Sequence, residues 1–429
     1  MNKTWKKMLS ASVSALMLAG FATMGKAHAN QLTAMSDQEL SDVNAQALLS
    51  LSYISPTDAE NKMGNGVGFY RLGLDAELKL NANINKLQLG CGGINGAGGC
   101  DIDIDNLSLS GIADTREGRV GSSAVMTNPF VEFAIKNPNS ASTREFVGMR
   151  LSAEHVLGLL TLGSENSATP NGINSFSGYM RTLDTTGVAS TTARNMSFND
   201  TQMTIDGRIK LLGSLISPGF SSRDYNLGLQ STNANLFING ATISGTRMTH
   251  ANLTGKAQIG NINFTGPINA NLKIPILGLL DLGIDSKGYI SGLTADLNIS
   301  QNLGFIHKLP LNNPFSLSLQ NQQVFWPGAA VAANAGWWMA FEDAIDIGQL
   351  NPSNTIDITD DLLKQVVPKV NTFLQNNPPS CFFGSCLGIG LDIGDINLKG
   401  SSALDFPIRD LQLETQHFAP NCYGSLKFC

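Results

Sequence analysis

The chain has 429 residues and a formal net charge of −6, and only 14% of its residues are charged, against about 25% in an average soluble protein. Such an acidic chain is a poor candidate for binding nucleic acid, because phosphate groups need a basic surface. The length allows two or three domains with a sizeable core, and Asn, Ser, Thr and Gly must supply most of the polar surface.

The N-terminus has the features of a secretory signal peptide. Three lysines precede an apolar stretch over residues 8–24, and Ala27-His28-Ala29 forms a small-x-small cleavage site. We therefore expect export and cleavage between Ala29 and Asn30, which removes four lysines and moves the net charge from −6 to −10. The alternative is a membrane anchor, but Ser, Thr and Gly interrupt the apolar run, which is also short for a bilayer.

A short helix is expected soon after the cleavage site. Ser36 can cap its first turn, and Glu39, three residues further on, completes a capping box. The helix should end near Asn44 and cover one end of a sheet.

Residues 32–46 carry the pattern Leu-x-x-Met-Ser-Asp-x-Glu-Leu-Ser-x-Val-x-x-Gln. With NPFVEFAIKNP (Asn128 to Pro138) and EFVGMRLSAEHVLG (Glu145 to Gly158), it resembles the N-terminal domain of exported, Fil-type pilus-assembly and surface proteins of Acinetobacter-like bacteria. The resemblance covers roughly the first 180 residues and departs where Asn44-Ala45 replace the family's common glycine. It implies a surface or pilus-assembly role and offers no catalytic residues.

The stretch from Phe69 to Leu89 predicts a single long strand. Apolar residues stand at every second position from Leu72 to Ile84, and only an extended strand places alternate residues on opposite faces. Twelve steps of ~3.3 Å make an unbroken element of about 40 Å. We expect it to join a long antiparallel sheet whose apolar face is hidden in the core.

An eight-residue pattern of apolar, x, apolar, two polar, apolar, x, apolar predicts turns. Its four units begin at Ala82, Ile102, Ala257 and Leu391. Polar pairs such as Gly260-Asn261 are typical of two-residue hairpins, which would place Ile259 opposite Ile262. We favour hairpins; the alternative is a β-solenoid corner, in which the polar pair marks a bend between rungs.

All six cysteines lie in the mature chain as three close pairs. An oxidising compartment favours three local disulfides, although spacing alone does not fix their connectivity. Zinc is a weak alternative, because no pair has the two-residue spacing of a zinc knuckle. The expected pairs are Cys91 with Cys100, Cys381 with Cys386, and Cys422 with Cys429.

Asp101, Asp103 and Asp105 alternate in the way that calcium ligands do. A calcium loop also needs a glycine at its sixth position, where Asn106 stands, and a more distant glutamate. We therefore favour a solvated strand edge over a calcium site, and we expect no metal or cofactor.

The C-terminal third is aromatic and then helical. Trp326, Trp337, Trp338 and Phe341 surround an alanine-rich run, for which core packing is favoured over an exposed binding patch.

Residues 359–375 predict an amphipathic helix that docks on the sheet, with Thr359 as its cap and a kink at Pro368.

The expected fold is mostly β, with long antiparallel strands and short hairpins in an elongated sandwich or solenoid-like arrangement, plus a short N-terminal helix and one C-terminal amphipathic helix. The expected divisions are a signal peptide (1–29), an N-terminal β domain (30–190), a β-hairpin region (191–322) and a disulfide-containing C-terminal region (323–429).

The sequence points away from catalysis. It contains no Gly-x-Ser-x-Gly, Gly-x-x-x-x-Gly-Lys or His-Glu-x-x-His motif, and its histidines are scattered singly. We expect a non-enzymatic cell-envelope protein of a Gram-negative bacterium, at the cell surface, outer membrane or periplasm. Its expected partners are other envelope or pilus proteins, including copies of itself, with no nucleic acid and at most peripheral membrane association. The alternative is a carrier of an apolar, lipid-like ligand, with the apolar sheet face and aromatic segment lining a groove.

Overall fold

The computed structural model describes residues 49–164, 169–211, 215–274, 278–312, 314–381, 391–411 and 419–423. The predicted signal peptide, the cleavage site at Ala29 and Asn30, and the short helix after Ser36 lie outside these ranges.

The described part is mostly β, which confirms the predicted fold class. Its first strands are β1 (Leu49–Ile54), β2 (Val67–Leu74), β3 (Glu77–Leu80), β4 (Ala82–Leu89), β5 (Ile102–Ser110), β6 (Ala124–Lys136), β7 (Glu145–Thr161), β8 (Ile173–Thr182), β9 (Thr185–Ser190), β10 (Arg194–Ser197), β11 (Ile205–Arg208), β12 (Lys210–Leu211) and β13 (Gly219–Ser222). The later strands are β14 (Asp224–Leu229), β15 (Asn233–Ile238), β16 (Thr242–Met248), β17 (His250–Ile259), β18 (Ile262–Ile274), β19 (Gly278–Ser291), β20 (Thr294–Asn302), β21 (Lys308–Leu311), β22 (Phe315–Gln320), β23 (Gly336–Ile345), β24 (Ser380–Cys381), β25 (Leu391–Asn397) and β26 (Leu404–Arg409). The α-helices are α1 (Arg116–Val120), α2 (Phe198–Thr201) and α3 (Asp360–Asn376), and short 3-10 helices span Gly93–Asn95 and Leu303–Phe305.

The largest sheet has twelve strands, in the order β1-β2-β6-β7-β22-β23-β8-β5-β4, with β3, β16 and β21 paired onto β6, β8 and β7. β5 also pairs with β7, so that β7, β22, β23, β8 and β5 form a closed ring of hydrogen-bonded strands. Residues 48–429 cluster as one compact unit. Strands β22 and β23 lie on either side of the expected division at 322/323, and they pair with each other between β7 and β8.

Two five-stranded sheets form a sandwich. Their orders are β10-β14-β18-β19-β25 and β9-β15-β17-β20-β26. Strands that follow one another in the chain lie in opposite sheets and have the same place in the two strand orders. For example, β17 and β18 are each the third strand, and β19 and β20 are each the fourth. Most inward side chains of both sheets belong to one hydrophobic core, which extends into the twelve-stranded sheet. Leu272, Ile284 and Leu391 belong to a smaller cluster with Ile209 and Leu211.

The predicted hairpin at Gly260-Asn261 is wrong. Ile259 and Ile262 are not ladder partners, because β17 pairs with β15 and β20 while β18 pairs with β14 and β19. Gly260-Asn261 is instead a bend between the two layers, as in the solenoid-corner alternative. Alternating apolar positions cannot separate the two arrangements, because a hairpin and a pair of facing strands both turn their apolar sides toward the same core.

The other polar pairs, unlike Gly260-Asn261, lie inside strands. Asn85-Lys86 is within β4 and Asp105-Asn106 is within β5, and these two strands pair with each other. The loop from Gly90 to Asp101 connects them. β4 and β5 therefore form a hairpin, but its turn is this loop and not either of the two polar pairs. Gly394-Asp395 lies within β25 at a register shift against β19, where the φ of Gly394 is +75°, a conformation that favours glycine.

The single strand predicted for Phe69 to Leu89 is three strands, β2, β3 and β4. The first break lies between β2 and β3, where the pairing register with β6 shifts by one residue. There the Ala76 N–H donates to the Leu74 carbonyl, and the Asn128 N–H donates to the Ala76 carbonyl. At the second break, the Asn81 amide donates to the Arg119 carbonyl at 2.9 Å, and β4 turns away to pair with β5. Sequence alternation continues through both breaks and therefore hides them.

Helix α3 confirms the amphipathic prediction to within a residue. The Thr359 hydroxyl accepts a hydrogen bond from the Leu362 N–H at 3.3 Å, as expected for a cap. Pro368 lies inside the helix without ending it. The apolar side of α3 is buried against the sandwich through Leu362, Leu363, Val366, Val367, Val370 and Leu374.

Candidate functional site

An apolar surface covers one side of β1, β2, β6 and β7. Residues that are paired from strand to strand form two rows, each of which crosses all four strands. We call the residues of these two rows, together with Leu49 and Leu74, the open face. The rows are Leu51, Leu72, Val131 and Leu151, and Tyr53, Tyr70, Phe133 and Met149.

The open face is most exposed at β1. Leu51 is 82% exposed and Leu49 is 56% exposed, and Leu72 on β2 is 42% exposed. The rings of Tyr53 and Tyr70 stack with their centroids 4.5 Å apart. The predicted alternation is therefore correct, but the prediction that its apolar face is hidden in the core is wrong. Strand β2 buries Val67 and Phe69 and exposes Tyr70, Leu72 and Leu74.

Strand β1 forms the margin of this surface. In the described ranges it pairs with β2 alone. Its sequence, LSLSYI, contains no charged residue and no proline, which are the usual protection of an edge strand against pairing with another chain.

The opposite side of the same sheet is held by a buried ion pair. Arg150 Nη2 lies 2.5 Å from Glu132 Oε2, and Arg71 Nε lies 3.3 Å from the other carboxylate oxygen. Burial lowers the pKa of Arg150, and the charge of Glu132 opposes that shift. The Arg150 guanidinium also lies over the ring of Trp326, 5.4 Å from its centroid. These contacts fix the strands that carry the open face.

A second candidate site is an apolar cavity of about 70 Å³ between the two five-stranded sheets. It is lined by aliphatic side chains of both sheets and of α3, with Thr191 and Asp357 as its polar lining residues. A residual cavity costs about 24 cal/mol per Å³, so that leaving this space empty costs on the order of 1–2 kcal/mol of stability.

The cavity has a simple cause in the sequence. Four neighbouring strands of one sheet place alanine at inward positions, and three of them also carry inward leucine and isoleucine. Ala189 pairs with Ala234 across β9 and β15, and Ala257 pairs with Ala295 across β17 and β20. All four are buried and line the cavity. The eight-residue pattern placed Ala257 at an apolar strand position, but the sequence gave no signal that these four alanines would lie together.

Helix α3 covers the cavity and is attached mainly by side chains along its length. Gln365 donates to the Asp405 carbonyl at 3.0 Å and accepts from the Asp405 N–H at 2.7 Å, which joins the helix to β26. On the other side, Asn371 accepts from the Asp206 N–H at 3.0 Å, which joins it to β11.

The predicted aspartate group has charged and amide partners. Lys86 Nζ lies 2.6 Å from Asp103 and 2.8 Å from Asp105. The pKa of Asp103 is lowered, because hydrogen bonds from Lys86, Gln88 and Asn174 outweigh the opposing and largest single effect, burial. β5, which carries Asp103 and Asp105, pairs with strands on both sides, so that the predicted strand edge is wrong.

Asp101 has a structural contact of its own. It is buried and accepts from the Trp337 N–H at 3.0 Å. Gly336 leaves room for this contact, since a Cβ there would lie 2.5 Å from the carboxylate. Within the described residues, no group of three or more His, Cys, Asp or Glu side chains could hold a metal ion.

One of the three predicted disulfides lies within the described residues. Cys91 and Cys100 are bonded, with their Cα atoms 3.9 Å apart, and close the β4–β5 loop. Cys381 and Cys422 each take part in a disulfide as well. The partners expected for them, Cys386 and Cys429, lie outside the described ranges.

The aromatic segment lies in the core, as predicted. Trp326 and Trp338 are each 2% exposed, and Phe341 is 4% exposed, while Trp337 is half-buried. Three of these four side chains are therefore too buried to line a groove, and the apolar cavity described above lies under α3.

A hydroxyl, an imidazole and a carboxylate meet at one place that the sequence motifs missed. Thr249 Oγ1 lies 2.9 Å from His250 Nδ1, and His250 Nε2 lies 2.9 Å from Asp410 Oδ1. Thr249 is exposed, and none of the three residues lines any of the described cavities.

No family model, curated protein or solved structure matches this chain. Among the described residues, no helix combines the length and the apolar character needed to span a membrane.

Proposed function

We propose that this chain is an exported, non-enzymatic cell-envelope protein that acts through protein–protein contacts, as a surface or pilus-associated structural or assembly component. Its partners are other envelope or pilus proteins, including further copies of this chain, in the periplasm or at the outer surface of a Gram-negative cell. The observation that carries the proposal is the open face, because large exposed apolar patches mark interaction surfaces on soluble proteins.

The energetics favour a contact at this surface. Fully burying a leucine side chain contributes about 1.5–3 kcal/mol, and Leu49 and Leu51 keep most of that surface in water. Covering the exposed side chains on β1 and β2 supplies further, smaller contributions, and together these act against an association cost of about 4–15 kcal/mol. The ion pair on the opposite side of the sheet keeps the surface in one shape before the partner binds.

The test is the double variant Leu51→Ser and Leu72→Ser in the full-length protein of the native host. We expect it to be exported and folded but to lose its crosslinked partner or self-assembled species, because both substitutions remove apolar contact area. Leu215→Ser is the matched control, since Leu215 is also 82% exposed but lies outside the open face. Mature wild-type protein found only free in the periplasm, with no crosslinked partner, would contradict the proposal.

A second candidate function is favoured by the cavity under α3: a carrier of an apolar ligand.

A further inference from the structure

We infer that the interior of the five-stranded sandwich binds an uncharged, hydrocarbon-like ligand, and that α3 moves to admit it. This inference rests on the carrier candidate and is independent of the contacts made by the open face. The ligand class follows from the lining. Leucine, isoleucine, valine, alanine and methionine side chains dominate it, and no basic residue is among the lining residues.

The rim of the cavity excludes an acidic head group. Asp357 is exposed at this rim, and it accepts a hydrogen bond from the Thr192 hydroxyl at 3.3 Å. A carboxylate or phosphate would meet a like charge there. Arg194, which donates to the carbonyl of the lining residue Ile358, is already paired with Asp200 and Asp360. An alcohol or a plain hydrocarbon meets no such repulsion.

The apolar interior continues along α3. A smaller cavity of about 10 Å³ lies near the C-terminal half of the helix and is lined by Leu374, Ile209, Phe220 and Leu391, among others. The main cavity lies at the N-terminal half, beneath Leu362, Leu363 and Val366. A ligand that extends from one to the other would replace contacts that the helix now makes with the sheets.

The size of the main cavity requires a movement. Its volume of about 70 Å³ is roughly half that of an engineered apolar cavity that accepts benzene. The closed form therefore admits only a few carbon atoms, and a longer ligand needs one wall to shift.

The helix is the wall best able to shift. The central strands of both sheets are joined by continuous backbone ladders, whereas the middle of α3 is held by side chains such as Gln365 and Asn371. Backbone pairing anchors the chain on both sides of the helix, at Ile356 with Thr191 and at Ser380 with Lys210. Pro368 lacks the N–H that would bond to the preceding turn, so that the helix can bend at its centre while its ends stay attached.

The experiment uses the fluorescence of N-phenyl-1-naphthylamine, an uncharged probe, added to the full mature protein. We expect saturable binding at one site. Ala257→Leu should weaken it by about tenfold or more, because the larger side chain fills the cavity. Ala59→Leu, at an exposed turn residue, is the matched control and should leave binding unchanged.

Two further variants keep the test decisive. Ala234→Val adds less volume at the same cavity and should weaken binding if Ala257→Leu does not fold. Gln365→Ala removes two bonds between α3 and β26 without touching the lining, and it should speed both association and release of the probe.

Competition identifies the ligand class. 1-Decanol should displace the probe, whereas decanoate should do so about tenfold less well or worse. Unchanged binding in folded Ala257→Leu and Ala234→Val, equal competition by decanoate, or unchanged rates in Gln365→Ala would each overturn the inference. Loss of binding only in the Leu51→Ser and Leu72→Ser variant would place the probe on the open face, and would overturn this inference while leaving the proposed contact function intact.

Discussion

At the scale of single residues, several buried polar groups join parts of the chain that are distant in sequence. Arg119 is fully buried, and its guanidinium donates to Thr161 Oγ1 and to the Ala419 carbonyl, both at 2.7 Å. Burial lowers the pKa of Arg119 to about 10. His307 is also buried, and its Nδ1 lies 2.8 Å from the Leu162 carbonyl. Such groups specify one register, because shifting a strand would leave them without their partners.

The buried histidine predicts a pH dependence. Burial lowers the pKa of His307, so that below about pH 6.5 the unfolded chain takes up a proton there before the folded chain does. The free energy of unfolding should therefore be highest above that pH and fall as the pH drops toward the folded pKa, by at most about 1.4 kcal/mol per pH unit. Urea midpoints of wild type and His307→Asn at pH 7.5 and about 5.5 measure this. The variant should lose part of the difference, whereas His155→Gln, at an exposed histidine, should keep it; equal differences in all three proteins would refute the prediction.

At the scale of elements, the β4–β5 hairpin shows how a local crosslink acts on a sheet that is already held by its ladder. The two strands pair from Ala82 with Leu109 to Leu89 with Ile102, and the disulfide joins the chain two residues further into the loop on each side. The Asp101 carboxylate, next to Cys100, contacts the start of β23. The crosslink therefore orders the loop more than it holds the strands.

The double variant Cys91→Ser and Cys100→Ser tests that view. A loop with a sequence separation of 9 contributes at most about 2–3 kcal/mol through chain entropy. We expect the variant to fold with an unchanged far-ultraviolet circular dichroism spectrum but to be cut faster by protease within residues 92–99. Oxidised wild-type protein, digested in parallel, is the reference. A loss of β structure throughout the protein would show instead that the disulfide supports the whole sheet.

At the scale of the whole molecule, one hydrophobic core links the sandwich with the large sheet. Ile102 and Phe176 of the large sheet belong to the same buried cluster as Leu236 and Ile299 of the sandwich. Shared cores of this kind make unfolding cooperative, because neither part can keep its buried surface without the other.

Ile299→Ala measures that cooperation. Ile299 is 1% exposed in β20, and removing its side chain should cost about 2–5 kcal/mol. Fluorescence from the large-sheet tryptophans, Trp326, Trp337 and Trp338, should report the same shifted midpoint as circular dichroism. Asn298→Ala, at the exposed neighbouring position, should shift both by less than about 0.5 kcal/mol. Two separate transitions would mean that the sandwich and the large sheet unfold independently.

The sequence alone determined the features that depend on neighbours along the chain. Period-2 alternation predicted a mostly β chain, and the spacing of apolar residues with Thr359 and its acidic neighbours predicted α3 almost to the residue. Short spacing predicted the Cys91–Cys100 bond, and the aromatic segment from Trp326 to Phe341 was predicted to pack in the core.

The tertiary structure decided which strands pair and which faces meet water. Gly260-Asn261 bends the chain between layers, although its flanking residues satisfy a hairpin equally well on paper. Leu51 and Leu72 stand in water and Ala257 beside an empty space, although each occupies a regular apolar position. Alternation fixes only that two sets of side chains point in opposite directions; what each set faces depends on strands that are remote in sequence.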